Sequence, residues 1–327
     1  MIHSLRIRRL RGIRNGALEE LYPLTVLVGP NNSGKSTCLE ALALVAAPRP
    51  LDFLPTLLRR RGWLGLESVT RLFSDQGTSI EFKNDATRGR QALVRLLAEH
   101  GGADSSEPGE APPDTARLTI RWQLIDRAAG VQAVPEGLSS PIARIDLGFR
   151  EGPVPQYQLF VDAGGRTQQS AEEPGGRAPA SPFAFLDVAV PPSSILESLA
   201  QVDRVGESAH AALVAALRAI DPALREIRVV PVDGSWIPYA TYDSESVPLA
   251  LVGDGMKRLF HVGARLAAVV KGVALLEEPE CFQHRKSLTE LARSLWSAVD
   301  AGTQIVLSTH SLEFLDLLTE AASSKDG

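Results

Sequence analysis

The stretch from Leu24 to Ala43, LTVLVGPNNSGKSTCLEALA, constrains this chain more than any other. Leu24 to Val28 reads as a short buried parallel strand that ends in a turn. Gly29 to Ser36 then fits G-x-x-x-x-G-K-[ST] at every fixed position, and Leu39, Leu42 and Ala43 recur at helical spacing. Strand, glycine loop and helix, in that order, are what a phosphate cradle requires. Glycines let successive N–H groups converge on phosphate oxygens, and the helix start adds partial positive charge. The pattern assigns Gly29, Asn31, Asn32, Ser33, Gly34, Lys35, Ser36 and Thr37 to ATP or GTP. Lys35 reaches for the β- and γ-phosphates, and the Ser36 hydroxyl for Mg²⁺.

A chain of 327 residues can bury a large core in one elaborate domain or two. The formal charge of −5 gives no global pull towards nucleic acid, so DNA contact needs a local patch. No apolar run is long enough to span a bilayer, and the first residues lack a signal-peptide layout. The two cysteines, Cys38 and Cys281, stand in unrelated contexts, which fits a reducing cytoplasm. A cytoplasmic protein without membrane partners is expected.

Taken in order, the chain opens with a strand-like segment up to Ile13, with Asn15-Gly16 as a hairpin turn signal and a second strand over Ala17 to Leu21. The five arginines from Arg6 to Arg14 read as a solvated strand face, with nucleotide contact or a small nucleic-acid patch as alternatives. Leu51 to Leu64 reads as helix and Ser79 to Phe82 as strand; Gln76 just before it reads as a surface turn residue, with the metal- and water-sensing glutamine that many nucleotide-binding heads place in this region as the alternative. Gly101 to Asp114 is acidic, rich in Pro, Gly and Ser, and reads as a loop. Strand-like runs at 92–97, 116–125, 142–149, 157–161 and 183–190, with a turn-rich 163–181, read as an antiparallel meander, and 92–97 reads equally as a helix. Ser193 to Ile220 reads as helical, followed by strands at 226–232 and 236–241. The last third reads as helix 256–270, strand 273–276, helix 288–299, strand 304–308 and helix 311–320.

In an open parallel sheet, ligands bind outside the carboxyl ends of the strands. Three strands here end in chemically loaded residues: the glycine loop after Val28, Glu277-Glu278 after Leu276, and Thr309-His310 after Ser308. Glu277 suits the shell of Mg²⁺, Glu278 the attacking water, and His310 a hydrogen bond to the γ-phosphate. Cys281-x-x-His284 has too few ligands for a zinc site, and the four tryptophans read as packing residues.

The order of phosphate loop, Gly253-Asp254-Gly255 before a helix, Glu277-Glu278 and Ser308-Thr309-His310-Ser311 resembles ABC-type ATPase heads. It looks most like the branch of chromosome-maintenance ATPases and overcoming-lysogenisation-defect (OLD) proteins, grouped as AAA-type ATPases of phage defence and repair. The resemblance covers the first 85 or so residues and the last 130. It implies an α/β P-loop fold, with an ABC-like mixed sheet flanked by helices. The nucleotide-binding core would be 1–83 and 225–327, and a β-rich and helical insert 84–224. Arg11 before Gly12 becomes a candidate nucleotide contact, His284 a residue of the dimer-crossing loop, and Gly253, Asp254 and Gly255 a signature touching ATP on a second subunit. The implied protein is a Mg²⁺-dependent ATPase that closes as an ATP-sandwiched homodimer and acts on DNA or a nuclease partner. An ATP-gated scaffold with little hydrolysis is the second expectation, and a transporter subunit the third. Gly253 replaces the usual signature serine, Glu277 replaces an aspartate, and no metal-dependent Toprim nuclease follows the His310 helix in this sequence. Any nuclease is therefore expected on another chain, or absent.

Overall fold

The computed structural model describes residues 1–48, 50–59, 69, 72, 78–84, 116–125, 138, 142–148, 157–171, 182–187, 192–281 and 283–323. The elements begin with β1 (Ile2–Leu10), β2 (Ile13–Leu18), β3 (Leu24–Val28), α1 (Lys35–Ala46), α2 (Pro50–Arg59) and β4 (Thr78–Asn84). Then come β5 (Ala116–Ile125), β6 (Ile142–Gly148), β7 (Tyr157–Asp162), β8 (Thr167–Ala171) and β9 (Phe183–Leu186). Next are α3 (Pro192–Val205), α4 (Glu207–Ile220), β10 (Glu226–Val232), β11 (Ser235–Thr241) and β12 (Ser246–Pro248). The chain ends through α5 (Asp254–Ala267), β13 (Val273–Glu277), α6 (Arg285–Asp300), β14 (Gln304–Thr309) and α7 (Leu312–Ser323). It divides into two units, Met1–Tyr22 with Ser36–Ala180, and Pro23–Lys35 with Ser181–Gly327.

The first unit is built on a seven-stranded sheet in the order β2-β1-β4-β5-β6-β7-β8, antiparallel throughout. Strand period explains β1: Leu5 and Ile7 are buried while Arg6 and Arg8 are exposed. Leu10 pairs with Ile13, so the hairpin turns at Arg11-Gly12 and not at Asn15-Gly16, which lies inside β2. Arg11 accepts the left-handed conformation that this tight turn demands, with φ at 50°. The sheet also runs without a break from β4 into β5, across the boundary expected at residue 84. The expected turn-rich stretch 163–181 contains a strand, β8. Trp122 is buried in this unit. The expected features at 92–97 and 101–114, together with Gln76 and Trp63, lie outside the described residues.

The second unit holds a four-stranded sheet in the order β3-β14-β13-β9, with every pairing parallel. Val273 to Glu277 and Gln304 to Thr309 are buried at every position, the mark of strands covered on both faces. β3 is an edge strand and only half-buried, which corrects the expectation of a buried one. Phe183 to Leu186 also departs from expectation: it joins this sheet parallel to β13 and takes no part in the antiparallel meander. The run Ser193 to Ile220 is two helices, because Gly206 breaks it at φ 122°, a conformation glycine alone adopts readily. Leu199, Leu217, Phe260, Leu291, Ile305, Leu307 and Phe314 share one core. A small antiparallel sheet, β10-β11-β12, completes the unit, and Trp236 on β11 is 62% exposed, so it does not pack in a core. Trp296 is partly buried and donates its indole N–H to the Leu318 carbonyl at 2.9 Å. Among the described residues, no helix is long and apolar enough to cross a membrane.

Candidate functional site at the ends of the parallel strands

Parallel pairing sends the carboxyl ends of β3, β14, β13 and β9 to one edge of their sheet. Val28 pairs with Thr309, Ser308 with Glu277, and Leu276 with Leu186. The glycine loop, the Thr309-His310 step and the Glu277-Glu278 pair therefore leave the sheet within one register position of one another.

The loop has the curl its sequence demands. Asn32 and Gly34 sit at φ 62° and 92°, and a Cβ on Gly29 would meet the Ser33 Oγ at 3.0 Å. The Lys35 ammonium folds back over the loop, donating to the carbonyls of Gly29 at 2.8 Å and Pro30 at 2.9 Å. This flexible, part-exposed cation holds its position through exchangeable bonds to the loop that a phosphate would occupy. Glycine-dependent close approach, a lysine at the mouth and a helix start at Lys35 fit a triphosphate. From Ser36 onward, α1 belongs to the first unit, where Thr37 is buried. Arg11 is also in the first unit, and its Nε lies 3.1 Å from an oxygen of fully buried Glu40. That guanidinium thus balances a carboxylate that would otherwise be costly to bury.

The acid pair is better organised than its sequence reveals. Glu277 is buried at the end of β13. Glu278, the next residue, takes φ 44°, and non-glycine residues are held there only where the surroundings fix them. Its N–H donates to the Ser308 carbonyl at 3.0 Å, tying it to β14. One carboxylate oxygen lies 2.9 Å from His310 Nε2, and the other accepts a hydrogen bond from the Cys281 thiol at 3.5 Å. Glu280 links the same strand ends: its Oε1 accepts from the Thr309 hydroxyl and, at 3.1 Å, from the His310 N–H. Burial, then the negative charges of Glu278 and Glu280, push the Cys281 thiol up to about 11, so it stays protonated and donates.

The start of α5 is a plain helix N-terminus. Gly253 offers no side chain as a cap, so the first-turn N–H groups are available to an anion. Asp254 is exposed and paired with Lys257 at 2.6 Å, which offsets a carboxylate that would otherwise repel phosphate. Among the described residues, no cluster of three or more His, Cys, Asp or Glu is arranged to hold a metal unaided. Mg²⁺ at a nucleotide needs only one or two protein oxygens beside the phosphates; within the second unit, Glu277 at the end of β13 offers the hard oxygen such an ion takes.

Sequence reasoning singled out Glu277, Glu278 and His310, weighed Cys281 only as a zinc ligand, and passed over Glu280 and Arg258. Arg258 is buried on α5 among Leu259, Phe260 and Val262, and it reaches the strand ends described above. The available signal was a charged residue inside an otherwise apolar arc. Burial draws its pKa below the ordinary arginine value, an effect opposed by the negative charge of Asp187, Glu280 and Glu278. His261, one turn further on, is held neutral: burial first, then Arg265 and Arg258, lower its pKa to about 3.

Comparison with known proteins agrees with this architecture. Residues 198–315 match the family described as "AAA ATPase domain", and residues 24–123 the family described as "AAA domain, putative AbiEii toxin, Type IV TA system". An uncharacterized protein of Methanocaldococcus jannaschii is 36% identical over 86 residues, which cover 25% of this chain and 39% of that protein. An ATP/GTP phosphatase of Helicobacter pylori is 20% identical over 100% of this chain and 90% of its own length. The DNA replication and repair protein RecF of Magnetococcus marinus is 36% identical over 126 residues, 36% of this chain and 32% of that protein. The chain thus spans about two fifths of the first of these relatives. Among solved structures, an SMC head bound to the C-terminal winged-helix domain of ScpA superposes with a TM-score of 0.50 at 11% identity, over 97% of this chain and 91% of that one. The fold is α/β with mixed sheets and helices, of the type seen in the SMC head, and two separate stretches of the chain match AAA ATPase family models.

Proposed function

We propose that this protein is a Mg²⁺-dependent ATPase whose nucleotide cycle closes and opens a homodimer and is relayed to DNA or a nuclease partner, in phage defence or repair. The observation that carries the catalytic half is the convergence of Gly29–Lys35, Glu277-Glu278 and His310 at one sheet edge, with His310 2.9 Å from Glu278. Lys35 and the loop N–H groups bind the phosphates, and Ser36 and Glu277 hold the metal. Bound there, Mg²⁺ would neutralise charge developing on the transferred phosphoryl group. Glu278 accepts a proton from the attacking water, and His310 turns from Glu278 towards the γ-phosphate. Gly253 to Gly255 would present their N–H groups to the nucleotide of a second copy. Gln76 and Arg11 keep their sequence-based roles, at the metal and the nucleotide respectively, as part of this proposal. The dimer, DNA and nuclease half draws on the family resemblance, with the DNA replication and repair protein RecF supporting only the link to DNA; the ATP/GTP phosphatase relative supports the catalytic half.

Phosphate release by the wild-type chain, with Glu278→Gln beside it, tests the catalytic half. Sedimentation of Glu278→Gln with ATP tests the other, and a shift from monomer to dimer is expected. A wild-type chain without calorimetric affinity for adenine nucleotides overturns both.

A specific contact set favours a second reading, an ATP-gated scaffold with slow turnover. Both carboxylate oxygens of Glu278 are already engaged, by His310 and Cys281, so the base is held back until His310 moves. Nucleotide-dependent dimerisation with negligible phosphate release would favour this reading.

A further inference from the structure

Arg258 lies in the second turn of α5, four residues after the Gly253-Asp254 helix start, and is almost fully buried. A buried guanidinium must spend its donors on acceptors, and this one spends them on main-chain carbonyls at two neighbouring strand ends. Its Nη1 donates to the carbonyl of Asp187, just past β9. Its Nη2 donates to the carbonyl of Glu277 at 3.1 Å and, more weakly, to that of Glu278 at 3.4 Å. Strand pairing between β9 and β13 ends at Leu186 and Leu276, so Asp187 and Glu277 are the first residues that these two strands no longer pair with each other, although Glu277 still pairs with Ser308 on β14. The planar fork of arginine reaches both carbonyls at once, which the single ammonium of lysine does not reproduce.

These bonds fall on a non-glycine residue in the left-handed region. Glu278 holds φ 44° with its N–H tied to Ser308 and its carbonyl shared between Arg258 and the Cys281 N–H at 3.1 Å. The Glu277–Glu278 peptide is therefore fixed from both sides, by β14 and by α5. Positive φ is uncommon for a non-glycine residue, and here these contacts oppose relaxation of the backbone.

We infer that Arg258 is a positioning residue, which holds the backbone of Glu278 in its left-handed conformation and ties it to the start of α5. The inference rests on the proposed role of Glu278 only for its catalytic consequence. The side chain makes a rigid connection from the Gly253–Gly255 helix start to the acid that faces the water. A shift of α5 when that helix start meets a phosphate would pass directly to Glu278.

The test is Arg258→Lys, which keeps the charge and the aliphatic stem, with Arg258→Gln as a second variant should the first fail to fold. Hydrogen exchange of the peptide around residues 273–281 is read first, because it needs no turnover. Faster exchange there, with the remaining helices of the second unit unchanged, is expected. Exchange unaltered at Glu278, or accelerated everywhere alike, overturns the inference. Kinetics supply the second readout. Turnover should fall about tenfold to a hundredfold, as for a catalytic group displaced by an ångström, with ATP affinity within about threefold of wild type. In a Glu278→Gln background the same substitution should add little, since the group it positions is already disabled. An equal loss in both backgrounds overturns the inference. Absence of nucleotide binding in the wild-type chain would instead remove the ATPase proposal, and the exchange result would still decide the positioning role.

Discussion

The two large sheets of this molecule use β-structure in opposite ways. The seven-stranded sheet of the first unit is antiparallel, and β1 alternates buried Leu5 and Ile7 with exposed Arg6 and Arg8. The four-stranded sheet of the second unit is parallel, and β13 and β14 are buried from end to end. An antiparallel strand reverses direction at each hairpin, so its polar residues are spread along a face. Parallel strands all finish at one edge, and with both faces covered that edge is where chemistry can be displayed. The candidate site residues therefore concentrate at strand ends in one sheet, while in the other polar residues alternate along the strands.

The sharpest way to break this contrast is at Lys35. Lys35→Ala should lower ATP affinity by at least about a hundredfold, on the order of 3 kcal/mol, by isothermal calorimetry. The exposed Arg8→Ala change in β1 should leave that affinity unaltered. Glu278→Gln comes next: loss of a general base typically costs about 10² to 10⁴ in rate, and phosphate release should fall by that much while binding persists. Third is the core beneath the parallel edge. Ile305→Ala removes a fully buried side chain from β14 and should cost about 2 to 5 kcal/mol in urea unfolding. Arg8→Ala should be close to neutral in the same measurement.

The fourth effect is a pH dependence confined to the second unit. His261 titrates at about 3 when folded against an ordinary 6.5, so the unfolded chain takes up its proton first. Its contribution is therefore complete above pH 6.5 and is lost as pH falls towards 3, at a slope of about 1.4 kcal/mol per pH unit. Denaturant midpoints at pH 7 and pH 4.5 should differ less in His261→Gln than in wild type. An unchanged difference would show that other groups, and not His261, set the acid limb.

Much of the fold was legible because its signals are local. The glycine loop, the apolar runs of β13 and β14 and the amphipathic faces of the C-terminal helices depend on residues close in sequence. The failures follow from the same fact. Asn15-Gly16 carries a stronger turn signal than Arg11-Gly12, yet pairing of Leu10 with Ile13 overrides it. Phe183 to Leu186 reads as any short strand, and only its partner β13, about 90 residues away, makes it parallel. The exposure of Trp236 and the pairing of Arg11 with Glu40 are likewise beyond local pattern.

By itself the sequence determined the phosphate loop, the acid pair and the imidazole as chemical groups, because motif and strand-end position are written in neighbouring residues. Tertiary structure alone decided how those groups are held: His310 against Glu278, Glu280 across to Thr309, and Arg258 beneath the left-handed glutamate. The partners in these contacts are 20 to 32 residues apart in the chain and meet only because parallel strands end in register. No periodicity encodes that meeting. It comes from burying both faces of a sheet whose edge is left to satisfy its own carbonyls and carboxylates.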